Sequence, residues 1–178
     1  MHDSNEIRTR LIATAEQFFD GHGFTATGMD RLTQGAGISS RTLYKHVGSK
    51  NRLMTAVLDE RDRRFIRTLS VESVEALFDA LETWFAQEGA RGCLFLRTWG
   101  ETGGEVPEIV EAMARHKQRL AVRIDEIVEV EIGRQDDELA EEILILFEGA
   151  THAATYHSET AIPAAKRAAR KLIDARRA

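Results

Sequence analysis

Apolar residues recur every three or four positions along most of the chain, which is the spacing of one face of an α-helix. The pattern is clearest over residues 7–19, 74–85, 109–127 and 139–147. The alternation typical of strands is scarce, and the chain contains only 2 prolines. The sequence therefore predicts an all-α protein of about nine helices, with an N-terminal three-helix domain followed by a helical bundle.

Residues 27–47 are predicted to form a helix, a glycine turn and a second helix. Thr27 and Asp30 have the spacing of a capping box at the start of the first helix. Gly37 suits the sharp turn, because glycine adopts positive φ at little cost. Ser39 is then placed to cap the second helix. This order is typical of a helix-turn-helix, in which the second helix carries the contacts to a ligand.

The second of these helices has one apolar face and one polar face. Leu43 and Val47 are four residues apart and are expected to face a core with Leu32, Ala36 and Ile38. The remaining side chains, listed in chain order, are Ser40, Arg41, Thr42, Tyr44, Lys45 and His46. A short helix with donors on its exposed side can enter the major groove of DNA.

The charge of the chain is unevenly distributed. The net charge is −5, yet residues 1–52 carry seven Lys and Arg against five Asp and Glu, whereas the remainder carries 17 against 24. An N-terminal segment that tolerates phosphates, followed by an acidic body, is typical of a DNA-binding protein with a separate second domain. The negative total argues against a protein that coats nucleic acid over its whole surface.

Four short motifs resemble the DNA-binding domain of the TetR family of transcriptional repressors. They are Gly-Phe-Thr at 23–25, Ala-Gly-Ile-Ser at 36–39, Thr-Leu-Tyr-Lys-His at 42–46 and Gly-Ser-Lys at 48–50. Their order and spacing match the family over about the first 60 residues. Val47 departs from the pattern, since many members have Phe there, but it keeps an apolar side chain. The rest of the chain resembles the family only in being helical and of suitable length.

The resemblance implies DNA contacts for particular residues. Those expected at the phosphate backbone are Thr25, Thr27, Tyr44, His46 and Lys50, and those expected at the bases are Ser40, Arg41, Thr42 and Lys45. Arg41 and Lys45 are the best candidates for guanine, whose O6 and N7 both accept hydrogen bonds. Simpler alternatives stay open: Arg41 as a solvated charge, Tyr44 packed beside Phe24, and His46 as an ordinary surface histidine.

We expect a DNA-binding domain at residues 1–50, a connecting helix at 50–68 and a ligand-binding and dimerisation domain at 69–178. One recognition helix rarely gives useful specificity, so a homodimer that reads two half-sites of double-stranded operator DNA is expected. Small and apolar residues of the last two helices suit a four-helix interface. They are Leu146, Ala150, Ala153, Ala154, Ala165, Ala168, Ala169, Leu172 and Ile173. Alternatively, these alanines are only good helix formers.

The resemblance also implies a small-molecule effector in the C-terminal domain, since TetR-family members commonly hold one there. The candidate lining is apolar and aromatic, and most of it must be ordinary core. It comprises Phe78, Leu81, Trp84, Phe85, Phe95, Trp99, Met113, His116, Leu120, Phe147 and Tyr156. Arg97, Glu101 and His116 can add polar selectivity. The composition favours a hydrophobic effector and does not identify it.

No cofactor, metal site or membrane contact is expected. Cys93 is the single cysteine and fits a reducing cytoplasm; an inert apolar role is favoured over redox sensing. Glu148 and His152 are four residues apart, but a third metal ligand is not evident. No signal peptide or membrane span is recognisable, so a cytoplasmic location is expected.

Three function classes compete. A DNA-binding regulator, most simply a repressor released by a small ligand, accounts for residues 40–50. An enzyme is not favoured, because no catalytic Ser/His/Asp order or HExxH is present and the GETGGE stretch at 100–105 lacks the lysine of a phosphate-binding loop. The alternative is a ligand-independent helical adaptor, or an activator without a small-molecule effector.

Overall fold

The structure, a computed structural model, describes residues 2–157 and 159–177, with side chains from Asn5 onward. Within these residues the chain forms nine α-helices and no strand, which confirms the predicted all-α class. The helices are α1 (His2–His22), α2 (Met29–Ala36), α3 (Ser40–Val47), α4 (Lys50–Thr68), α5 (Val74–Glu88), α6 (Leu94–Glu101), α7 (Pro107–Ile132), α8 (Asp137–Ala153) and α9 (Ala161–Arg177).

Side-chain caps explain where several helices begin. Ser39, Ser73 and Asp136 each accept a hydrogen bond from the backbone N–H three residues further on, at 3.1, 3.2 and 3.1 Å. Such a bond satisfies one of the four N–H groups that have no partner inside the helix. The starts of α3, α5 and α8 are therefore encoded locally in the sequence.

One predicted helix start is wrong. The N-cap of α2 is Gly28, with no side-chain cap, so Thr27 does not begin this helix. Helix α9 begins at Ala161 and has Pro163 in its first turn, where proline is tolerated because an N–H there needs no helical acceptor. Helix α8 ends at Ala153.

The described residues divide into two compact units. Unit 1 comprises the chain up to Asp62 together with Leu94–Arg115, and unit 2 comprises Arg63–Cys93 together with the chain from His116 onward. Helix α6 and the first part of α7 thus belong to the same unit as the predicted helix-turn-helix. These units are defined by packing alone. The predicted division into a DNA-binding domain, a connecting helix and a ligand-binding domain from residue 69 stays a prediction.

Helices α1, α2 and α3 pack against one another around the apolar core of unit 1. Leu11, Phe19, Leu32 and Leu43 are fully buried there, and Phe24 meets Phe19 edge to face at a centroid distance of 5.4 Å. Burial of one such side chain stabilises the fold by about 1.5–3 kcal/mol. The core therefore fixes one face of α3 and leaves the other outside.

The core of unit 2 is built mainly by α5, α8 and α9, with aromatic residues near its centre. The Phe65 ring lies 5.1 Å from that of Trp84 and 6.3 Å from that of Phe147. Edge-to-face and tilted ring pairs of this kind add to the stabilisation from buried area. Every helix of the described chain is too short or too polar to span a lipid bilayer.

Candidate functional site

Helix α3 has the predicted bounds and the predicted buried face. Gly37 ends α2 with φ +63°, in the left-handed region that favours glycine, so the chain turns sharply before α3. Leu43 is fully buried and Val47 is 8% exposed, which confirms that this face packs into the core. The prediction that Leu32 and Ala36 share that core is also confirmed, whereas Ile38 is only partly buried.

The opposite side of α3 is polar and accessible. Its exposed or partly exposed side chains are Ser40, Arg41, Thr42, Tyr44, Lys45 and His46. Tyr44 exposes 51% of its surface. A large exposed aromatic side chain of this kind is typical of a binding surface. The Thr42 hydroxyl lies 2.9 Å from Ser39 Oγ, so it also supports the helix start. Helix α3 contains no acidic residue, so this surface is suited to a polyanion.

Thr25 and Lys50 lie together in unit 1, although 25 positions separate them in the chain. The Lys50 ammonium donates to the Thr25 carbonyl at 3.3 Å and lies 4.6 Å from the centroid of the Phe24 ring. Burial lowers the pKa of Lys50, and the negative charge of Glu101 acts in the opposite direction. The structure thus brings two predicted phosphate contacts into one cluster.

Glu101 belongs to the same cluster, although the sequence did not predict its contact with Thr25. Its Oε2 accepts hydrogen bonds from the Thr25 backbone N–H at 2.9 Å and from the Thr25 hydroxyl at 3.0 Å. One turn earlier on α6, Arg97 donates to the Asp20 carboxylate and to the Asp20 carbonyl, both at 2.9 Å. Arg97 and Glu101 thus hold contacts within unit 1, and their suggested role in the polar selectivity of an effector pocket stays a prediction.

Thr27 cannot contact DNA as predicted. The residue is fully buried, and its hydroxyl donates to the Gly23 carbonyl at 2.7 Å and to the Phe18 carbonyl at 3.4 Å. Both carbonyls lie where α1 ends and the chain leaves it. Thr27 is therefore a structural residue that satisfies backbone acceptors under the turn, and it is removed from the set of candidate DNA contacts.

The helices around α3 match a known protein family. The family model of bacterial regulatory proteins, tetR family, matches residues 11–57. That span runs from the buried part of α1 through α2 and α3 into α4. Helices α2 and α3 lie wholly inside this match. The match supports the predicted resemblance to TetR-type regulators over this segment.

A curated relative shares part of the chain. Over 91 residues the chain is 34% identical to the HTH-type transcriptional activator FasR of Mycolicibacterium smegmatis. The aligned segment covers 44% of this chain and 42% of that protein. The chain thus matches less than half the length of this curated relative.

Solved structures show that the TetR fold extends over nearly the whole chain. A TetR-family transcriptional regulator from Streptomyces coelicolor has a TM-score of 0.84 at 23% identity, covering 98% of this chain and 97% of the other. A TetR transcriptional regulator from Chloroflexus aurantiacus has a TM-score of 0.79 at 22% identity, covering 98% and 97%. These similarities establish the common fold.

Most of the residues predicted to form the dimer interface are not at a surface. Those buried in the core of unit 2 are Ala150, Ala154, Ala165, Ala169 and Ile173. They pack inside one chain, so their assignment to a dimer surface is wrong. Leu146, Ala153, Ala168 and Leu172 are partly exposed. Ile145, which sequence reasoning missed, exposes 63% of its surface on α8.

The predicted effector lining is divided among different environments. Tyr156 is 65% exposed and Trp99 is 40% exposed, so neither is enclosed as predicted. Four of the predicted lining residues are at most 2% exposed and belong to the packed core of unit 2, namely Phe78, Leu81, Leu120 and Phe147. Phe95, Trp99 and Met113 belong to unit 1. Trp84 and His116 are also buried and Phe85 packs against the same core, and a role for these three residues in effector binding stays a prediction.

A groove of about 280 Å³ on unit 2 has a different character from the predicted pocket. Its lining is mostly charged and comprises Val74, Glu75, Glu131, Lys166, Arg167, Arg170, Ile173, Asp174 and Arg177. None of the predicted effector residues lines it. Three or more potential metal ligands do not cluster anywhere in the described residues, and Glu148 accepts a hydrogen bond from Lys117 at 2.7 Å.

Proposed function

We propose that this TetR-type protein is a homodimeric repressor that reads operator DNA through α3 and releases it when a small effector binds in unit 2. The observation that carries the proposal is the polar, accessible face of α3 above the buried Leu43 and Val47. A rigid helix of this kind can present side chains to base edges in a major groove.

The proposed contacts fall into two groups with different effects. Arg41 and Lys45 are exposed on α3 and can each donate to guanine O6 and N7, with Ser40 beside them. Thr25, Tyr44 and Lys50 provide an N–H, hydroxyls and an ammonium for phosphates, and His46 adds a partly exposed imidazole. Phosphate contacts set the position of the protein on the duplex, whereas base contacts select the sequence.

A dimer supplies the second recognition helix that specific binding requires. The proposed surface is formed by the accessible apolar and small residues of α8 and α9 in unit 2. They are Ile145, Leu146, Ala153, Ala168 and Leu172. Apolar and small residues that stay accessible on two packed helices suit a self-complementary two-fold contact. Two copies of α3 then need a separation near ~34 Å to read successive major grooves.

The effector is proposed to act on the DNA-free state. A ligand lowers DNA affinity only if it binds that state more tightly than the DNA-bound state. Trp84, Phe85 and His116 supply apolar surface and one imidazole in unit 2, which favours a hydrophobic ligand with a polar group. Ligands that stabilise the protein in a thermal shift screen should be tested for release of bound operator.

Activation is the second candidate outcome, and one observation favours it. The relative that is 34% identical over 91 residues is named as a transcriptional activator. The same α3 contacts serve either outcome, because binding upstream of a promoter activates where binding across it represses. Transcription from an operator-linked promoter in a purified system, with and without the protein, separates the two.

The experiment that tests DNA reading selects bound duplexes from a random pool and then measures affinities by fluorescence anisotropy. We expect Arg41→Ala to lose about 1–3 kcal/mol of discrimination at one base position. Arg170→Ala removes the same charge from an exposed site on α9 and should leave discrimination unchanged. Equal affinity of the wild type for selected and random duplexes would overturn the proposal.

A further inference from the structure

The Thr25 cluster has the chemistry of a phosphate site, and a carboxylate of the same chain already occupies it. Glu101 Oε2 takes both donors of Thr25, the N–H at 2.9 Å and the hydroxyl at 3.0 Å. The Lys50 ammonium, bound to the Thr25 carbonyl, supplies the positive charge beside them. A backbone N–H, a hydroxyl and an ammonium are the groups that proteins use to hold DNA phosphates.

Gly23 makes the approach of the carboxylate possible. A Cβ at this position would lie 3.1 Å from Glu101 Oε2 and 3.2 Å from Oε1, which is tighter than ordinary van der Waals contact. The φ of Gly23 is +89°, which side-chain-bearing residues rarely adopt. The backbone therefore leaves a recess next to Thr25 that fits an anionic group.

A second contact fixes α6 where Glu101 needs it. Arg97 lies one helical turn before Glu101 and holds Asp20 through two hydrogen bonds of 2.9 Å. Residues four apart project from the same face of a helix. Arg97 thus positions α6 so that the Glu101 carboxylate reaches Thr25.

We propose that Glu101 is a built-in competitor for a DNA phosphate at Thr25 and Lys50, so that the position of α6 sets the affinity for DNA. The inference rests on the proposed function, because it assigns regulation to the same DNA-contacting residues. Thr25 has two donors, and a phosphate cannot share them with a carboxylate because the like charges repel each other. DNA binding therefore requires displacement of Glu101, and any event that holds α6 against Thr25 weakens DNA binding.

The test compares two variants that remove the same unit of charge from the full-length protein. Glu101→Gln removes the competing carboxylate, and Glu105→Gln removes an exposed carboxylate four residues later in the same unit. Affinities are measured on a selected operator and on a random duplex. We expect Glu101→Gln to bind both roughly tenfold more tightly than Glu105→Gln, because phosphate contacts are not base-specific. In a Thr25→Ala background, which lacks the hydroxyl but keeps the backbone N–H, that gain should become smaller.

Each outcome decides the inference. If the wild type prefers its operator but Glu101→Gln binds no tighter than Glu105→Gln, the competitor role is wrong and the DNA-binding function stands. If neither the wild type nor a variant binds any duplex, the proposed function fails and the inference fails with it. Should circular dichroism show that Glu101→Gln is unfolded, Glu101→Asp replaces it. That variant withdraws the carboxylate by one methylene and should also bind more tightly than the wild type.

Discussion

Arg97 binds Asp20 through both the side chain and the backbone, with N···O distances of 2.9 Å to the carboxylate and 2.9 Å to the carbonyl. Asp20 is 6% exposed and lies in the last turn of α1. The carbonyl oxygens in that turn have no N–H donor inside the helix. One guanidinium thus neutralises a buried carboxylate and satisfies a helix end, which ties α6 to α1 within unit 1.

Replacing Arg97 by alanine should lower the free energy of unfolding by about 2 kcal/mol, because the buried Asp20 loses a charged partner. The figure is below that of a fully buried pair, since the Arg97 side chain is 31% exposed. Arg115→Ala is the matched control: Arg115 pairs with the exposed carboxylates of Asp59 and Glu111 and is itself 53% exposed, so about 0–1 kcal/mol is expected. Urea unfolding measures both, and equal losses would contradict the assignment.

Thr27 and Thr25 should respond in opposite ways to replacement by valine. Thr27→Val leaves the Gly23 carbonyl without its 2.7 Å donor inside the protein, so the free energy of unfolding should fall by about 1–3 kcal/mol. DNA affinity of the folded protein should stay unchanged. Thr25→Val removes an exposed hydroxyl and should weaken DNA binding with little loss of stability. If folded Thr27→Val binds DNA more weakly than the wild type, Thr27 does contribute to DNA binding, as the sequence predicted.

Features encoded within a few residues could be predicted from the sequence. The bounds of α3 follow from the Ser39 cap, the left-handed Gly37 and the apolar pair Leu43 and Val47, all within one short segment. Each of these signals acts on its own neighbours, so no knowledge of distant contacts is needed. The exposed polar face of α3 follows from the same periodicity, and it is the part of the candidate site that sequence reasoning located.

Contacts across long chain separations could not be predicted. Glu101 and Thr25 are 76 positions apart, and a lone glutamate at a helix end carries no signal for its acceptor role. Thr27 and Thr25 are both threonines on a turn, and only the packing of α1 decides which is buried. Alanines on α8 and α9 have the same spacing whether they face their own chain or a partner. Ala150 and Ala169 were therefore assigned to the wrong surface.

The pKa of Lys50 provides a test of the Glu101 contact in the absence of DNA. Burial lowers this pKa and the Glu101 carboxylate raises it, so Glu101→Gln should lower it further. The titration is followed by NMR at the lysine Nζ or Cε, with Glu105→Gln as the control that should leave it in place. An unchanged Lys50 pKa in Glu101→Gln would contradict the proximity of the two charges.

Salt dependence separates Lys50 from the base-contacting residues. Lys50→Ala should weaken binding to operator and random duplexes alike and should reduce the slope of log affinity against log salt by roughly one per protomer. Arg170→Ala, on α9, should leave the slope unchanged. Affinities between low and moderate salt provide the measurement. A slope unaffected by Lys50→Ala would mean that this ammonium does not neutralise a phosphate.

The proposed dimer surface is tested at Ile145. The side chain is 63% exposed on α8, and at a two-fold contact a glutamate there would place two uncompensated charges in one interface. Ile145→Glu should therefore sediment as a monomer at concentrations where the wild type is a dimer. Val130→Glu puts the same charge at a 62% exposed position on α7 and should stay dimeric. Loss of the dimer should also lower operator affinity, because a monomer reads only one half-site. If Ile145→Glu stays dimeric, the dimer interface does not include Ile145.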